Sequence, residues 1–254
     1  MARVFITGSA DGLGRLTAER LLDAGHEVVV HVRNDDRLTA VSGLADRGAP
    51  VVVGDLADLE QTRAIAEDVN RLGQMDAVIH NAGVYDGPDV MTVNVVAPYL
   101  LTALLERPRR LVYLSSGMHR SGRNELSHID AGGGSYSDSK LFVTTLALAV
   151  AHHWPNVLSN TVDPGWVPTR MGGPGAPDDL RLGHLTQEWL ATSDDPEACT
   201  SGGYWHHQRR IEPHAAARDE RFQAELLDEL ARVTSQVSDD LHVRRRPRVY
   251  RAPR

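Results

Sequence analysis

The chain has 254 residues and a mass of 27.8 kDa, with 41% hydrophobic and 24% charged residues. These values suit one large α/β domain and exclude a disordered chain, a collagen-like repeat or a small disulfide-stapled scaffold. The formal charge is −7, although residues 241–254 carry six arginines and no acid, so the rest is more acidic still. A body of that sign repels phosphate, so no nucleic-acid or membrane partner is expected, and the basic tail 241–254 reads as a solvated or self-docking C-terminus, with binding of the tail to nucleic acid or membrane as the competing reading. The single cysteine, Cys199, cannot form an internal disulfide. It is expected to be a small buried side chain in a cytoplasmic protein. The longest apolar run, residues 141–151, has 11 residues, short of the roughly 20 that cross a bilayer. The first residues run into a strand pattern without an apolar leader.

In chain order, Val4–Thr7, Glu27–Val32, Val51–Val53, Ala77–His80, Leu111–Ser115 and Leu158–Val162 are the strand candidates. Each is short, apolar on both faces and bounded by turn-forming residues, as buried parallel strands are. Gly14–Ala24 carries a partial apolar stripe and stops at Gly25. Met91–Leu105 and Ser139–His153 are helical and apolar on most faces, which predicts burial against a second subunit. Residues 171–179 are loop chemistry, and Leu180–Ala191 is expected to form one or two helical turns. Gly203-Tyr204-Trp205 suggests a last short strand, and Arg218–Val233 an amphipathic helix. The β-α-β alternation predicts a single doubly wound parallel sheet of about seven strands with helices on both faces. Residues 1–240 form this domain, including a substrate-capping segment at about 166–200.

Thr7-Gly8-Ser9-Ala10-Asp11-Gly12-Leu13-Gly14 lies between the first strand and the first helix. Glycines there let the backbone turn tightly and approach a pyrophosphate, whose charge a helix N-terminus favours. Further along come Asp55-Leu56, His80-Asn81-Ala82-Gly83, Asn94, Ser115-Ser116, Tyr136-Ser137-Asp138-Ser139-Lys140 and Pro164-Gly165. These motifs, in this order over residues 3–205, resemble the short-chain dehydrogenase/reductase family, with its Rossmann fold. His80 stands where the family pattern has an asparagine. The longer Ser116–Tyr136 interval is similar to that of retinol dehydrogenase-like and carbonyl reductase-like members, and its insert (His119, His128, Gly132-Gly133-Gly134) is a candidate wall of the substrate site.

The resemblance implies NAD(P) contacts from Gly8, Ser9, Asp11, Gly12, Leu13, Gly14, Asp55, Leu56, Asn81, Ala82, Gly83, Tyr136, Lys140, Pro164, Gly165, Val167 and Thr169. The end of the second strand chooses between the two nicotinamide cofactors, because a carboxylate there binds the ribose hydroxyls and repels a 2′-phosphate. That position falls on Val32 and is followed by Arg33, so NADP(H) is favoured over NAD(H). Asp35 and Asp36 keep two other readings open: a surface ion pair for Arg33, or an acid at the ribose.

Tyr136 and Lys140 are one helical turn apart on one face. A phenol has a pKa of roughly 10, and a nearby ammonium stabilises its anion. The resemblance implies that Tyr136 exchanges a proton with a carbonyl or carbinol oxygen, that Ser116 hydrogen-bonds this oxygen and that Asn94 supports Lys140 through water. Ser115 competes for the serine's role. Met118, Trp166 and Met171 are candidate substrate contacts; the resemblance puts Trp166, Met171, Leu182, Leu185 and Trp189 in or near the segment that caps the substrate, which suggests an apolar ketone or aldehyde rather than a sugar. The 164–173 stretch is similar to that of polyketide-tailoring ketoreductases. A homodimer or homotetramer is expected by resemblance. The twelve histidines lack metal-ligand spacing, so no metal is expected. The competing readings are a cofactor-binding redox sensor, a nucleotide-sugar epimerase and an NAD(H)-preferring alcohol dehydrogenase.

Overall fold

The computed structural model describes residues 1–129 and 133–235. The arginine-rich 241–254 stretch, the side chain of His128 and Gly132 of the insert lie outside the described residues. The eight strands are β1 (Arg3–Ile6), β2 (Glu27–Val32), β3 (Val51–Val53), β4 (Ala77–His80), β5 (Arg110–Leu114), β6 (Leu158–Asp163), β7 (Tyr204–His206) and β8 (Arg209–Ile211). They form one sheet in the order β3-β2-β1-β4-β5-β6-β7-β8, in which only the β7–β8 pair is antiparallel. The strands are apolar on both faces because neighbouring residues feed opposite cores. Phe5 and Val29 pack into one, and Val4, Ile6, Val28 and Val30 into the other.

The sheet thus has one strand more than the seven expected. β8 closes a hairpin whose turn residues, His207 and Gln208, sit at φ 48° and 60°. Such turns favour Asn-Gly or Gly-Gly, and His-Gln carries no such signal. The six-residue β6 also runs one position further than expected, to Asp163.

Helices α1 (Gly12–Asp23), α2 (Ser42–Ala45) and α6 (Leu180–Thr192) cover one face. Helices α3 (Leu59–Arg71), α4 (Ala97–Leu104), α5 (Tyr136–His153) and α7 (Glu220–Thr234) cover the other. Helix α3 goes beyond the expected elements, although Asp58 caps it by accepting from Glu60 N and Gln61 N. Helix α6 has 13 residues rather than one or two turns. It belongs to the scaffold, since Trp189 packs edge-on against Trp205 of β7 at 5.1 Å. The Met91–Leu105 stretch opens with a π-helical turn over Thr92–Val96, and α5 starts at Tyr136 rather than Ser139. A reciprocal cap sets that start: Ser135 Oγ accepts from Asp138 N, and Asp138 Oδ2 accepts from Ser135 N.

Helix α7 lies against α5, with the Phe222 ring edge-on to Phe142 at 5.9 Å, and its last turn reaches α3, where Arg63 donates to the Thr234 carbonyl. The apolar faces of α4 and α5 are therefore covered within the chain. Cys199 is exposed, not buried; it sits in the α6–β7 connection, where Ala198 supplies the buried side chain. Among the described residues no helix is long and apolar enough to cross a membrane. The strand order reverses between β1 and β4, and the loops leaving their carboxyl ends part there to form a crevice.

Candidate active site

The crevice holds a cavity of about 640 Å³, within the range of cofactor and ligand pockets. Loops after four neighbouring strands line it: Gly8, Asp11, Gly12 and Leu13; Val32 and Arg33; Asp55 and Leu56; and Asn81, Ala82 and Gly83. Its other end is bounded by Tyr136, Lys140, Pro164, Thr169 and Met171.

The glycine loop is shaped by close packing. Gly8 is at φ +69°, and a Cβ there would lie 2.9 Å from Ala82 Cα. At Gly14 a Cβ would lie 2.4 Å from Asn81 Nδ2 and 2.5 Å from the Gly8 carbonyl. Asn81 braces the loop by donating to the Thr7 and Gly8 carbonyls, while Thr7 Oγ1 accepts from Asn81 N and Ala82 N. From β2, His31 accepts from Gly8 N through Nδ1 and donates to the Gly54 carbonyl through Nε2; burial pushes its pKa down, so a neutral ring props the loop. His31 carries no sequence motif of its own, because strand pairing alone brings it beneath the glycines.

Asp11 precedes α1 without capping it through its side chain, so the first-turn amides are available to an anion. Arg33 is exposed at the cavity rim beside Val32. Among the described residues its side chain forms no ion pair; Asp35 and Asp36 are not its partners, and neither lines the cavity. A second cation, Arg37, also lines it and pairs with Asp11 at 2.7 Å. These groups fit an elongated phosphate-bearing dinucleotide: close-approach glycines, an open helix N-terminus and a guanidinium at the ribose end that is without an ion pair among the described residues.

At the opposite end, Tyr136 and Lys140 rise from the first turns of α5. Lys140, the only lysine in the sequence, is 4% exposed. Its Nζ donates to the Leu114 carbonyl at 2.8 Å and lies 5.3 Å from the Tyr136 ring centre. Burial pulls its pKa down to about 8 against a raising influence of Asp163. Burial also pushes the Tyr136 phenol up to about 12; a hydrogen bond with Ser116 opposes this, and Asp163 adds to it. The lowering of the phenol by Lys140 anticipated from the spacing is not found: burial raises the phenol and Ser116 alone opposes it, which leaves a proton-bearing phenol at neutral pH.

The two serines separate cleanly. Ser115 is buried and bonded to Thr144 Oγ1 and the Lys140 carbonyl, tying β5 to α5. Ser116 presents its hydroxyl to Tyr136 and accepts from Met118 N. Asn94 lies in the π-helical turn and bonds both ways to Val84 while donating to Ser139 Oγ. It thereby links the 83–85 loop to the helix carrying Tyr136 and Lys140.

Of the other expected site residues, Ser9, Gly14, Met118, Gly165, Trp166 and Val167 stand outside the cavity lining, whereas Thr169 and Met171 belong to it. Ser9 is buried, its hydroxyl donating to the Ile6 carbonyl and accepting from His31 N. Gly14 packs on Asn81. Val167 is buried against the position of Gly183, and Gly165 donates to Asp163. Thr169 adjoins Gly12 and accepts from Gly172 N. Met118, Trp166 and Met171 are exposed, with the Trp166 indole bonded to the Gly172 carbonyl. Two residues at the Tyr136 end have no expectation behind them. Tyr85 is half-exposed and tilts against the Tyr136 ring at 4.9 Å, and Asp163 is buried at the end of β6. Among the described residues no three His, Cys, Asp or Glu side chains gather as a metal site.

The fold and this crevice define an α/β oxidoreductase of the dinucleotide-binding class, with a tyrosine–lysine centre. The short chain dehydrogenase family profile matches residues 2–179. A relative from Emericella nidulans, named an uncharacterised oxidoreductase, is 37% identical over 89% of this chain and 94% of its own. The short-chain dehydrogenase chyC of Penicillium rubens is 38% identical over 83% and 88%. Retinol dehydrogenase 14 of Mus musculus is 30% identical over 66% and 62%. Among solved structures, an uncharacterised Mycobacterium paratuberculosis protein shares the fold at a TM-score of 0.78 and 23% identity, over 94% of this chain and 95% of its own. The Pseudomonas aeruginosa RhlG/NADP active-site complex shares it at 0.67 and 21%, over 80% and 93%. The chain belongs to the short-chain dehydrogenase family.

Proposed function

We propose that the protein is an NADP(H)-dependent carbonyl reductase acting on an apolar ketone or aldehyde. The observation that carries this reading is the meeting of a proton-bearing Tyr136, the Ser116 hydroxyl and the Lys140 ammonium at the inner end of a crevice that fits a dinucleotide. When bound, the reduced nicotinamide supplies a hydride. Ser116 donates a hydrogen bond to the carbonyl oxygen as negative charge grows on it. Tyr136 gives that oxygen its proton, and Lys140 stabilises the phenolate left behind. Asn94 holds the 83–85 loop against α5, which fixes the crevice wall beside Lys140. Arg33, Gly12, Leu13, Asp55, Leu56 and Thr169 hold the adenosine and phosphate portions, and NADP(H) is preferred because Arg33, which has no ion-pair partner among the described residues, stands beside an uncharged Val32.

The substrate enters past Tyr85, Met118, Trp166 and Met171, whose exposed apolar surface suits a bulky hydrocarbon body better than a sugar. Residues 1–240 form the enzyme domain, in a cytoplasmic setting, and assemble as a homodimer or homotetramer, with α7 packed on α5 within each chain. Replacement of Tyr136 by Phe tests the reading. NADPH-dependent ketone reduction should fall by about 10²–10⁴-fold while NADPH still binds, as followed by its fluorescence. Undiminished turnover would refute it.

A further inference from the structure

Ser116 opens a 3-10 turn over Gly117–Ser121, and both of its oxygens are held from inside that turn. Oγ accepts from Met118 N at 3.2 Å, and the carbonyl accepts from His119 N at 3.0 Å. The same carbonyl lies 2.8 Å from His119 Nδ1. The His119 ring, expected in a wall of the substrate site, is instead 0% exposed and lies against the Tyr204 ring of β7 at 4.5 Å. Its other nitrogen, Nε2, is 2.9 Å from the His214 backbone N. A backbone amide can only donate, so Nε2 carries no proton and the ring is neutral with its proton on Nδ1. Nδ1 therefore donates to the Ser116 carbonyl, and burial, which pushes the ring's pKa down, favours this neutral form. The His214 ring in turn caps a 3-10 turn over Ala215–Arg218 by accepting from Ala216 N at 3.1 Å. Ala217 of that turn is buried in the core that α5 shares. Arg120 adds a second tie to this segment, donating to the Glu212 carbonyl at 2.6 Å.

We propose that His119 is a positioning residue for Ser116: its ring spans from the serine's carbonyl to the His214 amide and so fixes the serine turn against the segment packed with the Tyr136–Lys140 helix. The Ser116 hydroxyl already accepts from Met118 N, which leaves its own proton to be aimed at a substrate oxygen. The ring holds the backbone that aims it. The inference rests on the reductase reading, and one arm of its test needs no turnover.

Amide side chains separate the two contacts of the ring. His119→Asn sets an N–H near the place of Nδ1, whereas His119→Gln sets an oxygen near the place of Nε2. The first keeps the donor to Ser116 and loses the acceptor for His214; the second does the reverse. In His119→Gln, kcat for ketone reduction should fall by about 10–100-fold, with the KM for NADPH unchanged. In His119→Asn, kcat should stay near that of the unmodified protein. Equal kcat values in the two variants, both kept or both lost, would overturn the proposal. Where His119→Gln does not fold, His119→Asn decides alone: kept kcat supports the proposal and lost kcat overturns it. Protein labelled with nitrogen-15 in its histidine rings supplies the other arm. The signal missing from the variant should show a protonated Nδ1 and a bare Nε2; the opposite tautomer or a charged ring at neutral pH overturns the proposal. The expected tautomer in a protein that reduces no carbonyl upholds the ring's hold on the serine turn and refutes the reductase reading instead.

Discussion

The two ends of the crevice are built on different physics. Around the glycine loop the supports are neutral and geometric: the side chains of Thr7, Asn81 and His31 hydrogen-bond backbone groups of neighbouring loops, and Gly8 and Gly14 make room that no side chain could share. Around Tyr136 the neighbours are buried and titratable: Lys140, Tyr204 and His119 each lie in the field of Asp163. Shape holds the nucleotide end and charge governs the chemical end. Damage at the first should therefore appear as lost binding and stability, and damage at the second as altered pH dependence and turnover.

The harshest test of this contrast at the nucleotide end is Gly14→Ala. Its methyl group meets Asn81 and the Gly8 carbonyl at 2.4–2.5 Å, an overpacking that costs about 1–3 kcal/mol. Thermal denaturation should show the loss and NADPH titration a weakened complex, with the pH profile of any remaining activity unchanged. A milder change is Arg33→Ala. Loss of a charge-assisted phosphate contact is expected to weaken NADPH binding by about 10–100-fold while NADH binding is preserved; equal losses for both would return the choice of cofactor to Asp35 or Asp36.

The smallest effect is placed away from both ends. His80 is fully buried, stacked on Tyr113 and bonded through Nε2 to Thr102, and burial pulls its pKa down from 6.5 to about 3. The unfolded chain takes up this proton below about pH 6.5 and the folded chain does so only near pH 3, so stability from this group is lost as pH falls between those values. His80→Asn should flatten that decline in urea unfolding measured from pH 7 to pH 4, with little change at pH 7.

What the sequence displayed follows the same division. The glycine loop and the Tyr136–Lys140 pair were legible because each is a local pattern, read within one turn or one helix. Asp58 and Gln61 held a readable start for α3 that apolar periodicity alone overlooked. His31 and Asp163 were not legible, since their partners come from strands distant in sequence and become neighbours only through the β1–β2 and β5–β6–β7 pairings. Tyr85 was hidden for a related reason: nothing in Val84-Tyr85-Asp86 announces a ring lying against Tyr136. The two apolar helices gave a correct sign of burial, whereas the helix that packs on α5, α7, was not legible as its neighbour because it comes nearly 70 residues after α5 ends.

The central claim is that a nicotinamide and a carbonyl carbon exchange hydride beside Tyr136. It is tested most directly with NADPH carrying deuterium at the reactive C4 position and a panel of aromatic and aliphatic ketones. The account predicts that an alcohol forms bearing one deuterium on its carbinol carbon, delivered from one face of the nicotinamide, in step with NADPH consumption. Binding of NADPH with no deuterium passed to any carbonyl of the panel would contradict it and leave a protein that senses the cofactor without using it.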